Sequence, residues 1–519
     1  MKTLRDVIDR HAAAQPDAPF LFAPEPGTTL TYAGLRATVQ SLCAELAAKG
    51  LVPGDVVSYM LPNGVAAAGV FLGAMYGGYV VSPVSLLAQD ALIEHTLAHS
   101  ETRIVFAAPE FVPRLRSIVA RIGSRAIVRP TSPDDLALSP TAADLPTSGG
   151  ASTTPAILMY TSGTTGTPKG ALLSHGNLVH AGRSVAAAHE LTPSDRVLSS
   201  LPLYHVNGQC IATISPLVSG GSIVMPHRFS VSQWWSLVER YRPTWLNVVP
   251  TIIAYLINGP DLTPAQAAAC RAIRFARSAS APLPPEHHRA FEARFGISVL
   301  EGMGLTECAS VAFANPLDPA ARRVGSPGRP LGMEARVVAP DGAMQGVGER
   351  GEIELRGDNV MLRYHKDPEV TARTLRPGRW LATGDLGYRD ADGFYFITGR
   401  LKELIIKGGE NIAPREIDEA LLKHPAVLEA AAVGIPDREY GQEILACVVL
   451  KPGSACMEGD LRAHCLNELG RYKTPKLFRF LAELPKGPSG KVQRLKLVPD
   501  AGGADAAHGA DGTTAPDPR

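Results

Sequence analysis

The run Tyr160-Thr161-Ser162-Gly163-Thr164-Thr165-Gly166-Thr167-Pro168-Lys169-Gly170 concentrates groups that suit a polyphosphate. Glycines let backbone amides approach an anion, the hydroxyls add donors, and Lys169 adds a positive charge. It directly follows Ala156-Ile157-Leu158-Met159, which reads as a fully buried strand. The spacing is not G-x-x-x-x-G-K-[ST], so a Walker-type motor or GTPase is disfavoured. The competing reading of this segment alone is a flexible Ser/Thr/Gly linker. Other residues are ambiguous in isolation: Glu307 is a loop acid, Thr383-Gly384-Asp385 a turn, Lys491 a surface lysine and His205 a core histidine.

Taken together, these blocks resemble, in order from Leu30 to Lys491, the adenylate-forming superfamily of acyl-CoA synthetases, peptide-synthetase adenylation domains and luciferases. The resemblance is strongest to acyl-CoA synthetases. It implies that Thr161, Ser162, Gly163, Thr164, Thr165, Gly166 and Lys169 cradle the ATP phosphates. It places Met303 near the adenine, where the family usually has an aromatic residue, and Ser280 and Ala281 on the adenine side, where Ala279-Ser280 replaces the usual Gly-Gly. In Gly304-Leu305-Thr306-Glu307 it assigns Thr306 and Glu307 to the α-phosphate and Mg²⁺, a hard-oxygen task that suits a carboxylate. Asp385 is implied to accept the ribose hydroxyls, with Arg400 towards the ribose and Lys402 as hinge. Gly408 and Gly409 are implied to line the tunnel of the thiol, coenzyme A. Lys491 is implied as the catalytic cation that meets the substrate carboxylate and α-phosphate as negative charge builds.

The implied reaction has two steps: acyl-AMP formation with release of pyrophosphate, then acyl transfer to a thiol, the small domain turning between them. The acid pocket is expected to draw on His205, Val206, Asn207, Gln209, Cys210, Thr251, Ile252, Ala281, Gly302 and Met303. That set is mostly apolar and lacks a fixed cation. It favours a medium-sized monocarboxylic acid and disfavours small dicarboxylates such as malonate or oxalate. Val206 and Asn207 stand where amino-acid-activating domains carry an ammonium-binding Asp, so amino-acid activation ranks low. The alternatives are transfer to a carrier-protein pantetheine or partner enzyme, and a non-catalytic homologue that binds nucleotide or acyl ligand.

The elements that must position these residues are α/β. Amphipathic helices such as Tyr32 to Lys49 alternate with apolar strands such as Val56 to Met60 and Ile104 to Ala107, which argues largely parallel sheets. Val65 to Ala88 is interrupted by glycines and Pro83, so it reads as a buried helix and strand in place of a membrane span. Beyond Arg350 the pattern becomes β-rich, at Glu352 to Arg356 and Phe394 to Thr398. At 519 residues the chain exceeds one core, since cores stop growing near roughly 250–300 residues. We expect a large N-terminal domain (1–400) of α/β subdomains plus a β-rich subdomain, a small mobile α+β domain (401–500), and a disordered tail (501–519). The small domain should carry helix Pro414 to Lys423, strands Leu428 to Val433 and Ile444 to Leu450, and helix Met457 to Leu469.

Lys plus Arg number 51 against 50 Asp plus Glu, so no broad basic face attracts nucleic acid or anionic lipid. The scattered cysteines form no C-x-x-C pair, and the N-terminal segment has no apolar signal core. A cytoplasmic location without a membrane span is expected, with ATP, Mg²⁺, coenzyme A and a carboxylic acid as partners.

Overall fold

The computed structural model describes residues 2–138, 150–161, 168–486 and 492–498. Two compact units divide between Ile397 and Thr398; the sequence placed this boundary near Leu401. The 501–519 tail lies outside the described residues.

The first unit is a layered α/β body. In one sheet, strands Pro155–Thr161, Val80–Pro83, Val56–Met60, Ile104–Ala107 and Ile127–Pro130 lie side by side and parallel. The apolar runs of the first four fit strands covered on both faces, whereas Ile127–Pro130 lies at the sheet edge and is partly exposed. The stretch 65–88 resolves as expected into helix Val65–Tyr76 and strand Val80–Pro83. A Cβ at Gly73 would come within 2.6 Å of Leu42, so this glycine lets helix Tyr32–Ala48 pack close. Lys169–Ser174 then runs back antiparallel to Pro155–Thr161, an exception to the parallel pattern that creates the hairpin of the site.

The second sheet orders Val299–Met303, Phe275–Ser278, Trp245–Val248, Arg196–Leu198, Ser222–Val224 and Pro19–Ala23 in parallel. Side chains alternate across it. Trp245 and Phe275 enter the core shared with the first sheet, whereas Leu246 and Ala276 enter a second core behind it. Asn247 and Arg277, two residues further along, therefore fall on the face of Trp245 and Phe275, near the carboxyl ends of their strands. The β-rich expectation beyond Arg350 corresponds to an antiparallel sheet including Glu334–Val338, Gly351–Arg356 and Trp380–Arg389.

The second unit is α+β. Val427–Asp437 and Gly441–Leu450 form a long hairpin, Ile405–Lys407 and Glu410–Ile412 a short one, and Leu477–Phe480 adds in parallel. Helices Pro414–Leu422 and Glu458–Lys473 cover one face. Separate apolar clusters occupy the two faces of this sheet, one around Ile417, Ile444 and Leu461, the other around Val433, Cys447 and Leu484.

Candidate active site

At the phosphate hairpin Thr161 and Lys169 are cross-strand partners, and Thr161 Oγ1 donates to the Lys169 carbonyl at 3.5 Å. Ser162, Gly163, Thr164, Thr165 and Gly166 lie outside the described residues. The Lys169 ammonium sits 5.4 Å from the Tyr364 ring centroid. The Tyr364 hydroxyl donates to Glu307 Oε1 at 2.8 Å. Tyr364 stands in a two-residue strand paired with Lys169–Ser174, so one side chain links the hairpin lysine to the acid expected at the metal. On the other flank, His95 Nε2 donates to the Pro168 carbonyl at 3.0 Å, and His99 Nδ1 meets the Tyr160 hydroxyl at 2.8 Å.

Glu307 belongs to a tight turn after strand Val299–Met303. A Cβ at Gly304 would lie 2.0 Å from the Ser310 carbonyl, so only glycine permits the turn. Ala309 and Ser310 are left-handed, with φ 53° and 65°. This strain is held by Asn359 Nδ2, which donates to the carbonyls of Cys308 at 2.9 Å and Val311 at 2.6 Å. The Met361 amide donates to the Glu307 carbonyl at 2.7 Å. Asp385 is buried, its own amide donating to Thr383 Oγ1 at 3.0 Å. Burial pushes the Cys308 thiol up to about 12, with the negative charges of Glu307 and Asp385 adding to it. Both acids thus act on one neighbourhood.

Several residues expected to line the acid pocket lie on a π-helix, Asn207–Ile214, a form that recurs at functional sites. Asn207 Nδ2 donates to Ser280 Oγ at 2.9 Å, and Asn247 Nδ2 donates to Asn207 Oδ1 at 3.0 Å. Ser280 has φ 76°, a left-handed backbone at a position where the family resemblance led us to expect glycine. Burial pushes the His205 imidazole down to about 4, so it is neutral at physiological pH. Val206 and Cys210 pack into the main core, and Gln209 Nε2 donates to the Leu203 carbonyl at 2.6 Å. Ile252 packs into the core behind the second sheet.

One buried cation near Gly302 lies outside the expected pocket list: Arg277. It is 1% exposed, and its Nη2 lies 2.9 Å from where a Cβ on Gly302 would stand. The pocket composition anticipated from the sequence omitted it because its strand neighbours are small or apolar.

In the second unit Gly408 and Gly409 form the turn between two short strands, with φ 55° and 86°. A Cβ on Gly408 would come within 3.0 Å of the Tyr472 hydroxyl. Below the turn, buried Lys407 pairs with Glu443 at 2.6 Å and donates to the Tyr472 carbonyl at 3.0 Å. Arg400 ends strand Tyr395–Arg400, and Lys402 is exposed just after it. Lys486 and Val492 meet across an antiparallel bridge; Lys491 lies outside the described residues.

Comparison with known proteins adds to this geometry. The model of the AMP-binding enzyme family matches residues 8–365, and that of the AMP-binding enzyme C-terminal domain matches 416–491. The chain belongs to the AMP-binding enzyme family. Among relatives of this AMP-binding enzyme, the sulfoacetate–CoA ligase of Cupriavidus necator is 56% identical, over 96% of this chain and 97% of its own. The oxalate–CoA ligase of Arabidopsis thaliana is 33% identical over 90% and 92%. ATP-bound MatB from Rhodopseudomonas palustris has a TM-score of 0.85 and 30% identity, covering 95% and 98%. Two residues of this AMP-binding enzyme escaped the sequence reading, Tyr364 and Arg277. Neither sits in a spacing that signals chemistry; only the fold brings them to Glu307 and Gly302.

Proposed function

We propose that this AMP-binding enzyme is a coenzyme A ligase whose acid substrate is sulfoacetate. The reaction class is that of its family. A carboxylate oxygen attacks the α-phosphorus of ATP, the bond to pyrophosphate breaks, and an acyl-adenylate forms. The thiol of coenzyme A, losing its proton, then attacks the acyl carbon and AMP leaves. The observation that carries the choice of acid is 56% identity along nearly the full length of a sulfoacetate–CoA ligase.

The assignment of residues within that chemistry is our reading. Both substrates of the first step are anions, so the site must suppress repulsion as charge accumulates at the α-phosphate. Lys169 offers a cation beside the hairpin, and Lys491 is assigned to the reacting carboxylate and α-phosphate. Mg²⁺ neutralises phosphate charge when bound. Glu307 fits as its protein ligand: Tyr364 donates to its Oε1 at 2.8 Å, fixing the carboxylate's orientation while a second oxygen remains for a hard cation. Asp385 is assigned to the ribose and the Gly408-Gly409 turn to the pantetheine arm. Neutral His205 closes the acid end without adding charge.

The test is to incubate the protein with ATP, Mg²⁺ and a panel of carboxylic acids, with and without coenzyme A, and to follow pyrophosphate, AMP and thioester by mass spectrometry. Pyrophosphate and a sulfoacetyl thioester are expected. Lys491→Ala should lose adenylation by about 10²–10³-fold, the range for one transition-state donor. Thioester from an uncharged-tail acid, with none from sulfoacetate, would overturn the substrate.

A further inference from the structure

We propose that Arg277 is the specificity-determining residue of the acid pocket, its buried guanidinium receiving a second anionic group, sulfonate or carboxylate, on a short acid substrate. The inference rests on the ligase reading above and adds to it a residue and a charge requirement.

A guanidinium taken out of water is normally paired, because an isolated buried charge is strongly unfavourable. Arg277 is 1% exposed, yet its Nε and Nη1 have no hydrogen-bond partner among the described residues. No described acid forms an ion pair with it, and it lies over no aromatic ring among those residues. Burial lowers its pKa to about 10, which leaves it charged at neutral pH. The fold therefore maintains a desolvated cation with an unused donor fork.

Its surroundings point that fork at the substrate. Arg277 is the penultimate residue of Phe275–Ser278, beside Asn247 in the parallel register. Ligands of open parallel sheets gather at the carboxyl ends of the strands. Asn247 is bonded to Asn207 of the π-helix at 3.0 Å but keeps an unpartnered Oδ1. Gly302, on the neighbouring strand, leaves room for Nη2: any Cβ there would stand 2.9 Å from it. The nearby His189 ring lacks partners on both nitrogens and is held neutral by burial and by the charge of Arg277 itself, pushed down to about 3. Neither Asn247, Gly302 nor His189 thus compensates the positive charge. A planar guanidinium offers paired N–H donors matching two oxygens of a carboxylate or sulfonate. A monocarboxylic acid bearing an alkyl tail would leave that fork unsatisfied.

The experiment compares the wild-type enzyme with Arg277→Met and Arg277→Lys, each with sulfoacetate, malonate and propionate. Pyrophosphate release gives kcat/KM, and thermal melting is recorded with and without each acid in the absence of ATP. The wild type should prefer a dianion over propionate by about 100-fold, the scale of losing one partner of a desolvated charge pair. Arg277→Met should erase that preference, and Arg277→Lys should retain part of it. Sulfoacetate against malonate decides which anion the fork takes. Without ligand, Arg277→Met should melt no lower than the wild type, since it removes an unpaired charge. The dianion should raise the Tm of the wild type but not of Arg277→Met. A preference for propionate in the wild type, an undiminished dianion preference in Arg277→Met, or a large fall in its ligand-free Tm with the lysine variant unaffected in specificity would each overturn the proposal. If no acid releases pyrophosphate from the wild type, the ligase reading fails on its own; an equal Tm shift in wild type and Arg277→Met would still refute the role of Arg277.

Discussion

Tyr364 ties together two charged groups that the chain separates by 138 positions: its ring lies 5.4 Å from the Lys169 ammonium and its hydroxyl 2.8 Å from Glu307 Oε1. A hydrogen bond to a carboxylate contributes about 1.5–3 kcal/mol. Removing it frees the acid to rotate while the ring still faces the lysine. Tyr364→Phe is therefore expected to slow adenylation about 10-fold or more, with little change in Tm, as read by ATP–pyrophosphate exchange. An unchanged rate would show that Glu307 is oriented by other contacts. Glu307 entered the sequence reading only through the resemblance of Gly304-Leu305-Thr306-Glu307 to a family block; alone it reads as a loop acid. Tyr364 was not legible, because Arg363-Tyr364-His365 has no internal spacing that marks it, and its meaning depends on a two-residue strand pairing with a hairpin far away in sequence. Arg277 was illegible for a related reason. In Phe275-Ala276-Arg277-Ser278 nothing local states which face is dry, and only the sheet reveals that its side chain is desolvated.

Among the elements, the strands read best. Val56–Met60 and Ile104–Ala107 have the bounds expected from their apolar runs, because a strand buried on both faces leaves a continuous signature. The π-helix at Asn207–Ile214 left none, since widening the hydrogen-bond ring by one residue preserves an apolar pattern while rotating the residues beyond it. Its contact with the Ser280 loop is testable. Ser280 offsets a left-handed φ of 76° with the bond from Asn207 at 2.9 Å. Ser280→Ala keeps the strain and loses the bond, so it should destabilise by about 1 kcal/mol. Ser280→Gly should lose less, because glycine adopts that backbone without penalty. Equal losses in thermal or urea melts would mean that the φ carries no strain. The Gly408 turn offers the corresponding test in the second unit. Gly408→Ala adds a Cβ at φ 55°, 3.0 Å from the Tyr472 hydroxyl. It is expected to lower thioester formation several-fold while pyrophosphate exchange stays unchanged, separating the two half-reactions. A parallel fall in both would place the turn outside the thiol path.

At the scale of the molecule, the two units have cores of different composition, and acid should act on them unequally. In the first unit His175 and His189 are fully buried. Burial pushes His175 down to about 4. His189, whose ring stands edge-on to Phe275 at 5.1 Å, is pushed to about 3, with Arg277 and Arg274 adding to the effect. An unfolded chain protonates histidine near 6.5. Below that pH the unfolded state binds protons that the native state refuses, so lowering pH favours unfolding. The stability these neutral rings preserve is whole above about 6.5 and is lost as pH falls towards 4 for His175 and 3 for His189, at about 1.4 kcal/mol per pH unit for each ring. No described histidine of the second unit is fully buried. Calorimetry at stepped pH should therefore show the first unit's transition falling steeply below about pH 6 while the second moves less. His189→Phe, which keeps an aromatic ring against Phe275 and removes one proton-binding site, should reduce that slope by about 1.4 kcal/mol per pH unit. A slope unaffected by His189→Phe would show that His189 binds protons equally in the folded and unfolded states, because only a group whose pKa differs between the two states couples folding to pH.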